Sequence, residues 1–278
     1  MQKSVGDLEQ SRPRLPAGRK SELAAFVGAE GEVTVAVLAD RFRVSSDTIR
    51  RDLDQLDADG VLIRTHGGAV SLDAHPRADT GVDVRSRLQT TAKEKIGALA
   101  AGLVHDDSVV ILNAGTTALS AARHLHDQRG LTIVTNNLRI PAELSPKVCR
   151  DLWVVGGAVR LSAQATLGPL AFRAPGQVNE INIRCDLAIV GVGAVSVDAG
   201  YSTSNLDEAV MMADMMHRAT KVAVLADSSK FGRSLFAEIA GLGAADYFIT
   251  DAPPPADLAA ALAGNNVQVL FPDQKMPA

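Results

Sequence analysis

Residues 38–70 read LADRFRVSSDTIRRDLDQLDADGVLIRTHGGAV, and the order of polar, apolar and glycine residues in this stretch decides what the rest of the chain must support. Ser45 opens a helix over 45–56, because a serine oxygen at that place accepts from an orphan backbone N–H one turn in. Ile49, Leu53 and Leu56 recur at i, i+4 and i+7 and form one apolar side, while Asp47, Arg50, Arg51 and Asp54 fall on the other. Residues 34–42 form a preceding short helix carrying Val37, Leu38 and Phe42. Only Arg43 and Val44 separate the two, which is helix-turn-helix spacing. Gly60 stops the second helix, residues 61–64 are a short β run, and Gly67 and Gly68 are expected to supply the positive φ angles of a tight hairpin. The pattern predicts a two-stranded wing.

A helix of this kind places its N-terminal residues on base edges, and an arginine meets guanine O6 and N7 with two hydrogen bonds. Ser45, Ser46, Thr48, Arg50 and Arg51 are the candidates; which reads a base and which a phosphate stays open, and a solvated helix face would look the same. The net charge of −4 and pI of 5.9 exclude a protein that coats nucleic acid indiscriminately. Its contacts must come from a local basic focus of Arg41, Arg43, Arg50, Arg51 and Arg64. The run VSSDTIRRDLDQLDADGVLIRTHGGAV, residues 44–70, closely resembles the N-terminal signature of DeoR-type transcriptional regulators, a winged helix-turn-helix with a Ser-x-x-Thr-Ile-Arg-Arg-Asp-Leu helix and an Arg-x-His-Gly-Gly-Ala wing. The resemblance implies binding to double-stranded operator DNA, and it adds His66 beside Arg64 as a wing contact.

Working outward, residues 1–18 are polar with Pro13 and Pro16 and read as a leader without regular structure. Residues 19–30 form the first helix, with Leu23, Phe26 and Val27 on one face and Gly31 at its end, so 19–70 make one winged unit. Residues 71–83 read as a linker. From Val84 through Leu88, Ala92, Ile96, Leu99 and Leu103 a single apolar stripe predicts one long helix over 84–104, and the α/β domain runs from 84 to 278. Aromatics make up 4% against 46% hydrophobic residues, so the core is aliphatic, as in an α/β sheet. Cys149 and Cys185 form no C-x-x-C pair and read as reduced structural thiols. Neither a signal peptide nor a membrane-spanning run is present in the sequence, and a cytoplasmic protein without metal or cofactor is expected.

Beyond residue 108 short apolar runs alternate with helical stretches: 109–112, 132–135, 152–155, 187–192, 221–226, 247–250 and 267–271, with helices over 117–127, 205–218 and 255–263. Runs that barely alternate are strands buried on both faces, so a mostly parallel α/β sandwich is predicted. Ligands of such sheets bind at the carboxyl ends of the strands. There the chain places Asn113, Gly115, Thr116 and Thr117, then Asn136 and Asn137, Gly156 and Gly157, and Lys230. A helix start at 115–117 offers N–H groups and dipole to a phosphate, Lys230 adds charge, and the asparagines suit sugar hydroxyls. Gly156-Gly157 also reads as a plain hairpin turn. The pattern LNAGTT, TNN, GG, Gly168, DLAIVGVGAV, Asp198-Ala199-Gly200, Asp207-Glu208-Ala209 and ADSSKFG resembles the effector domain of the same DeoR-type family, which is similar in fold to sugar-phosphate isomerases. That resemblance implies a regulator of a carbohydrate-uptake or catabolic operon, often a repressor, released by a phosphorylated sugar; a homodimer or homotetramer is expected, since paired half-sites need paired wing-helix units. Asp198 and Glu208 are the carboxylates an isomerase-like enzyme would need as a base, and without a second functional feature they are read here as effector-site residues of a non-enzyme. Asn113 stands where relatives carry aspartate, and the stretch 174–184 is longer than expected.

Overall fold

Two side-chain caps start the helices on either side of the Arg43-Val44 turn in the computed structural model, which describes residues 16–72, 74, 81–170, 172 and 182–272. Thr34 Oγ1 accepts from the Val37 amide at 3.3 Å and Ser45 Oγ from the Thr48 amide at 3.2 Å, each satisfying an N–H that helix geometry leaves without a partner. The chain divides into two compact units, residues 1–76 and 77–278. The first holds α1 (Pro16–Glu30), β1 (Glu32–Thr34), α2 (Val35–Phe42), α3 (Ser46–Ala58), β2 (Ile63–Arg64) and β3 (Gly68–Val70). Arg43, at φ 53°, ends α2 and turns the chain. Leu23, Val27, Leu38, Ile49, Leu53, Leu56 and Leu62 share one buried core, so the periodic apolar face of α3 is the packed one.

The first unit departs from expectation in three places. α1 begins at Pro16, so 16–18 are helical and not leader; residues 1–15 lie outside the described residues. The wing gains a third strand, because β1 pairs antiparallel with β3 to give the order β1-β3-β2. Neither Gly67 nor Gly68 has a positive φ. Gly68 is needed for space instead: a Cβ there would lie 2.0 Å from the Val33 carbonyl oxygen, so only glycine lets β1 and β3 approach.

The second unit holds α4 (Val82–Arg87), α5 (Thr90–Ala101), β4 (Val109–Leu112), α6 (Thr116–Arg123), β5 (Leu131–Thr135), α7 (Ile140–Glu143), β6 (Cys149–Val154), β7 (Ala158–Arg160), β8 (Ala165–Leu167), β9 (Cys185–Gly191), β10 (Ala194–Ser196), β11 (Gly200–Thr203), α8 (Leu206–His217), β12 (Ala219–Leu225), β13 (Ala237–Ala240), β14 (Tyr247–Ile249), α9 (Ala256–Gly264) and β15 (Gln268–Leu270). Seven of the strands form a parallel sheet in the order β15-β14-β12-β9-β4-β5-β6. Along β9, Leu187 and Ile189 face a core shared with Ile96 of α5 and Leu119 of α6, while Ala188 and Val190 face one shared with Met215 of α8 and Leu262 of α9. Covering both faces is what removes the polar alternation from these runs. β7 and β8 form an antiparallel hairpin, and β10, β11 and β13 a small antiparallel sheet.

Two expectations fail in this unit. The helix over 84–104 is broken: α4 ends at Arg87, Leu88 is extended, and Gln89 is left-handed at φ 51° before α5 begins. The apolar stripe continues across the break, since Leu88 and Ile96 are both buried, but the backbone does not. The run 152–155 is also less covered than its neighbours. β6 is last in the sheet order, and Leu152, Trp153 and Val154 are 36%, 56% and 46% exposed. Of the stretch 174–184, only residues 182–184 are described.

Candidate DNA-reading face and effector site

All seven residues expected to meet DNA lie on the outer side of the first unit: Ser45, Ser46, Arg50, Arg51, Arg64 and His66 are exposed and Thr48 half-buried. Their roles separate. Ser45 is occupied as the α3 cap and its hydroxyl also lies 2.9 Å from that of Thr48. Arg50 pairs with Asp47 at 2.8 Å, and Arg64 with Asp54 at 2.5 Å while its amide donates to Asp57. Arg51 makes no ion pair among the described residues, which leaves its full fork of donors for a base edge. One residue of the motif is not on this face at all. Asp52 is buried and takes two hydrogen bonds from Arg19 of α1, at 2.6 and 3.3 Å, a link that raises the Arg19 guanidinium above its ordinary value and fixes the roll of α3 against α1.

In the second unit the parallel order puts the ends of β12, β9, β4 and β5 on one edge. Asn113, just past β4, is buried there and spans to β9: its Nδ2 donates to the Gly191 carbonyl at 2.8 Å and its Oδ1 accepts from the Gly191 amide at 2.9 Å. The amide is thus used as a strand clamp, and an aspartate could not make the first of those bonds. Gly115 precedes α6, whose first turn, Thr116 and Thr117, has no side-chain cap, so its N–H groups and dipole face the edge unclaimed by any side chain. Asn136 is buried, donates to the Thr166 carbonyl at 2.9 Å and approaches the Met211 sulfur at 3.4 Å, while its Oδ1 has no partner among the described residues. Asn137 Oδ1 accepts from the Arg139 amide at 2.9 Å, a turn-forming role. Gly156, at φ 103°, and Gly157 lead into the β7–β8 hairpin.

Lys230 follows Asp227, a buried residue whose carboxylate accepts from the Ser229 amide and hydroxyl. Burial lowers the Lys230 ammonium, with Asp227 opposing the shift and Arg233 and Arg85 adding to it. Two cations that sequence reasoning missed belong to the same group. Lys93 of α5 is buried and donates to the Leu88 carbonyl at 2.5 Å and to that of Arg85; burial brings it down to about 8, against the pull of Asp227. Arg85 of α4 has a buried Nε without a partner among the described residues, and burial lowers it, with Glu208 raising and Arg160 lowering it. Glu208 is engaged by Arg160 at 3.1 Å and by the Thr203 hydroxyl at 3.2 Å. Asp198 is exposed in the turn between β10 and β11, and no described contact joins it to the cluster. The signal for Lys93 was its place three residues before Ile96, inside the buried face of α5; Arg85 left none.

The DeoR-like helix-turn-helix domain matches residues 19–75 and the DeoR C terminal sensor domain residues 88–252. The chain is 35% identical to the HTH-type transcriptional regulator GlpR of Haloferax volcanii, covering 87% of this chain and 92% of that protein. It is 31% identical to the HTH-type transcriptional repressor GlcR of Bacillus subtilis, covering 90% and 93%. Among solved structures, ribose 5 phosphate isomerase A from Neisseria gonorrhoeae is similar at TM-score 0.35 and 15% identity, over 54% of this chain and 55% of that one. No helix among the described residues is long and apolar enough to cross a membrane. With a reader unit and a sensor unit matched in sequence order, and relatives aligned along nearly their whole length, the chain belongs to the DeoR family of helix-turn-helix transcriptional regulators.

Proposed function

We propose that this regulator represses a carbohydrate catabolic or transport operon by placing α3 and the wing of two or four subunits on operator half-sites, and that a small phosphorylated sugar or polyol at the strand ends of the second unit controls it. The observation that carries the reading is the set of desolvated cations Arg85, Lys93 and Lys230, which lie within electrostatic reach of one another. Asp227 is the carboxylate shared by Lys93 and Lys230, and Glu208 is taken by Arg160. Buried like charges are costly unless a counter-charge is supplied, and a phosphate supplies it. Asn136 Oδ1 then serves as an acceptor for a sugar hydroxyl. A non-enzymatic sensor fits better than an isomerase, because Glu208 is held by two partners and Asp198 is exposed in the turn between β10 and β11.

Half-sites spaced by one turn of DNA, about 34 Å, are expected for the dimer. The test is fluorescence anisotropy on DNA from upstream of its own gene, at fixed salt, with a panel of sugar phosphates and their unphosphorylated forms. Release by one phosphorylated compound alone supports the reading. Turnover of any of them would replace it with the isomerase-like alternative.

A further inference from the structure

We propose that α4 is the element on which a bound anion acts to reach the DNA-reading unit, with Arg85 as the side chain that ties it to the anion. This rests on the anion-site reading above and assigns its regulation.

The first argument is place in the chain. α4 is the first helix after the segment that joins the two units, so a change in α4 changes the point at which the chain leaves the sensor. The second is how weakly α4 is held. It has six residues, Gly81 at its start offers no side-chain cap, and Val82 is its one fully buried residue. A helix that short has no stability of its own and must borrow it from neighbours. Two supply it. α6 packs on α4, and Lys93 reaches from α5 to hold the carbonyls of Arg85 and Leu88 across the break at Gln89. One of these neighbours is also a wall of the anion site: α5, through Lys93 itself.

The third argument is charge. Arg85 carries a buried Nε with no partner among the described residues, and the charges within its reach are Arg160, Lys93 and Lys230 on the repelling side and Glu208 on the attracting side. Glu208 is already bound by Arg160. Without an anion, docking α4 brings one more cation toward a group of cations. With a dianion in place the sign of that interaction reverses. Arg85 reaches the anion only while α4 is docked, so the anion binds the docked state more tightly and shifts the population toward it. A ligand without such a difference would shift nothing.

Hydrogen exchange on the full-length protein tests this, with inorganic phosphate as the probe and chloride at equal ionic strength as the control. Calorimetry on the same samples reports binding separately. We expect phosphate to slow exchange of the amides at 82–88 by tenfold or more, with no comparable change in α9. In Arg85→Gln the phosphate should bind several-fold more weakly and leave α4 exchange unchanged even at saturation, whereas Arg85→Lys should recover part of the protection. Calorimetric binding by the native protein with unchanged exchange at 82–88 would overturn the inference and leave the anion site standing. Absence of phosphate binding would remove both. The native-protein comparison needs no variant, so a poorly folded Arg85→Gln does not decide the outcome.

Discussion

Lys93 holds the carbonyls of Arg85 in α4 and of Leu88 just past it, and burial, with a smaller push from Lys230 and Arg85, makes its proton easier to remove. In the unfolded chain it stays charged up to its ordinary 10.5, in the folded protein only to about 8. Between those values the folded chain binds fewer protons, so its stability rises with pH from about 8. The window closes early. Burial pushes the Cys185 thiol up from 9.0 to about 11 and the Tyr201 phenol up as well, and both remove stability as pH climbs past their unfolded values. Thermal melts should therefore show stability increasing between pH 8 and 9, and Lys93→Met should reduce the increase, Lys230 supplying the remainder. Phosphate affinity runs the other way and should fall above pH 8 as the ammonium is lost. Asn113 gives a second residue-scale test. Asn113→Asp sets a carboxylate against the Gly191 carbonyl now held by Nδ2, and losing that donor in a buried place costs about 1–3 kcal/mol. A melting temperature equal to that of the native protein would show that the clamp contributes nothing.

At the scale of the element, α3 divides its work between two faces. Arg51→Ala should weaken specific DNA binding by about 1–3 kcal/mol, with non-specific binding at low salt much less affected; an equal loss on both kinds of DNA would reduce Arg51 to a phosphate contact. Asp52→Ala acts from the buried face, leaving Arg19 without its carboxylate partner. Arg19 is only half-buried, so losing the pair costs about 1–3 kcal/mol, enough to be seen in denaturant unfolding of the reader unit. The sequence made α3 legible because its cap, its apolar period and its arginines are all local. It said nothing of Asp52, whose partner lies in another helix, and it misread α4 and α5 as one helix because the apolar stripe from Val84 to Leu103 runs through Gln89 unbroken. The break lies at Gln89, whose left-handed backbone no residue pattern marks, and Lys93 bridges it by donating to the carbonyls of Arg85 and Leu88. For the same reason Arg85 was invisible as a site residue: it comes from before the first strand, where no loop pattern marks it. The strand-end glycines and asparagines were legible as a group, but their division into clamp, turn and free acceptor depends on which backbone each one meets.

In the whole molecule, two units with separate cores should unfold in separate steps, and only the larger one holds the cation cluster. Calorimetric scans with phosphate at about 100 times its Kd should raise the sensor transition by about 2.7 kcal/mol of stability and leave the reader transition in place; a shift of both would mean that they melt as one. The strand order carries a further consequence. β4 lies between β5 and β9, and its pairing of Val110 with Leu187 joins residues far apart in the chain, whereas the strand pairings of the first unit join residues no farther apart than Glu32 and Val70. Pairings over long separations form slowly, and domains made first fold first during synthesis. The helix-turn-helix unit is therefore complete on the ribosome well before the sheet of the second unit can close, and a chain cut short between the two would carry the reader without the sensor domain.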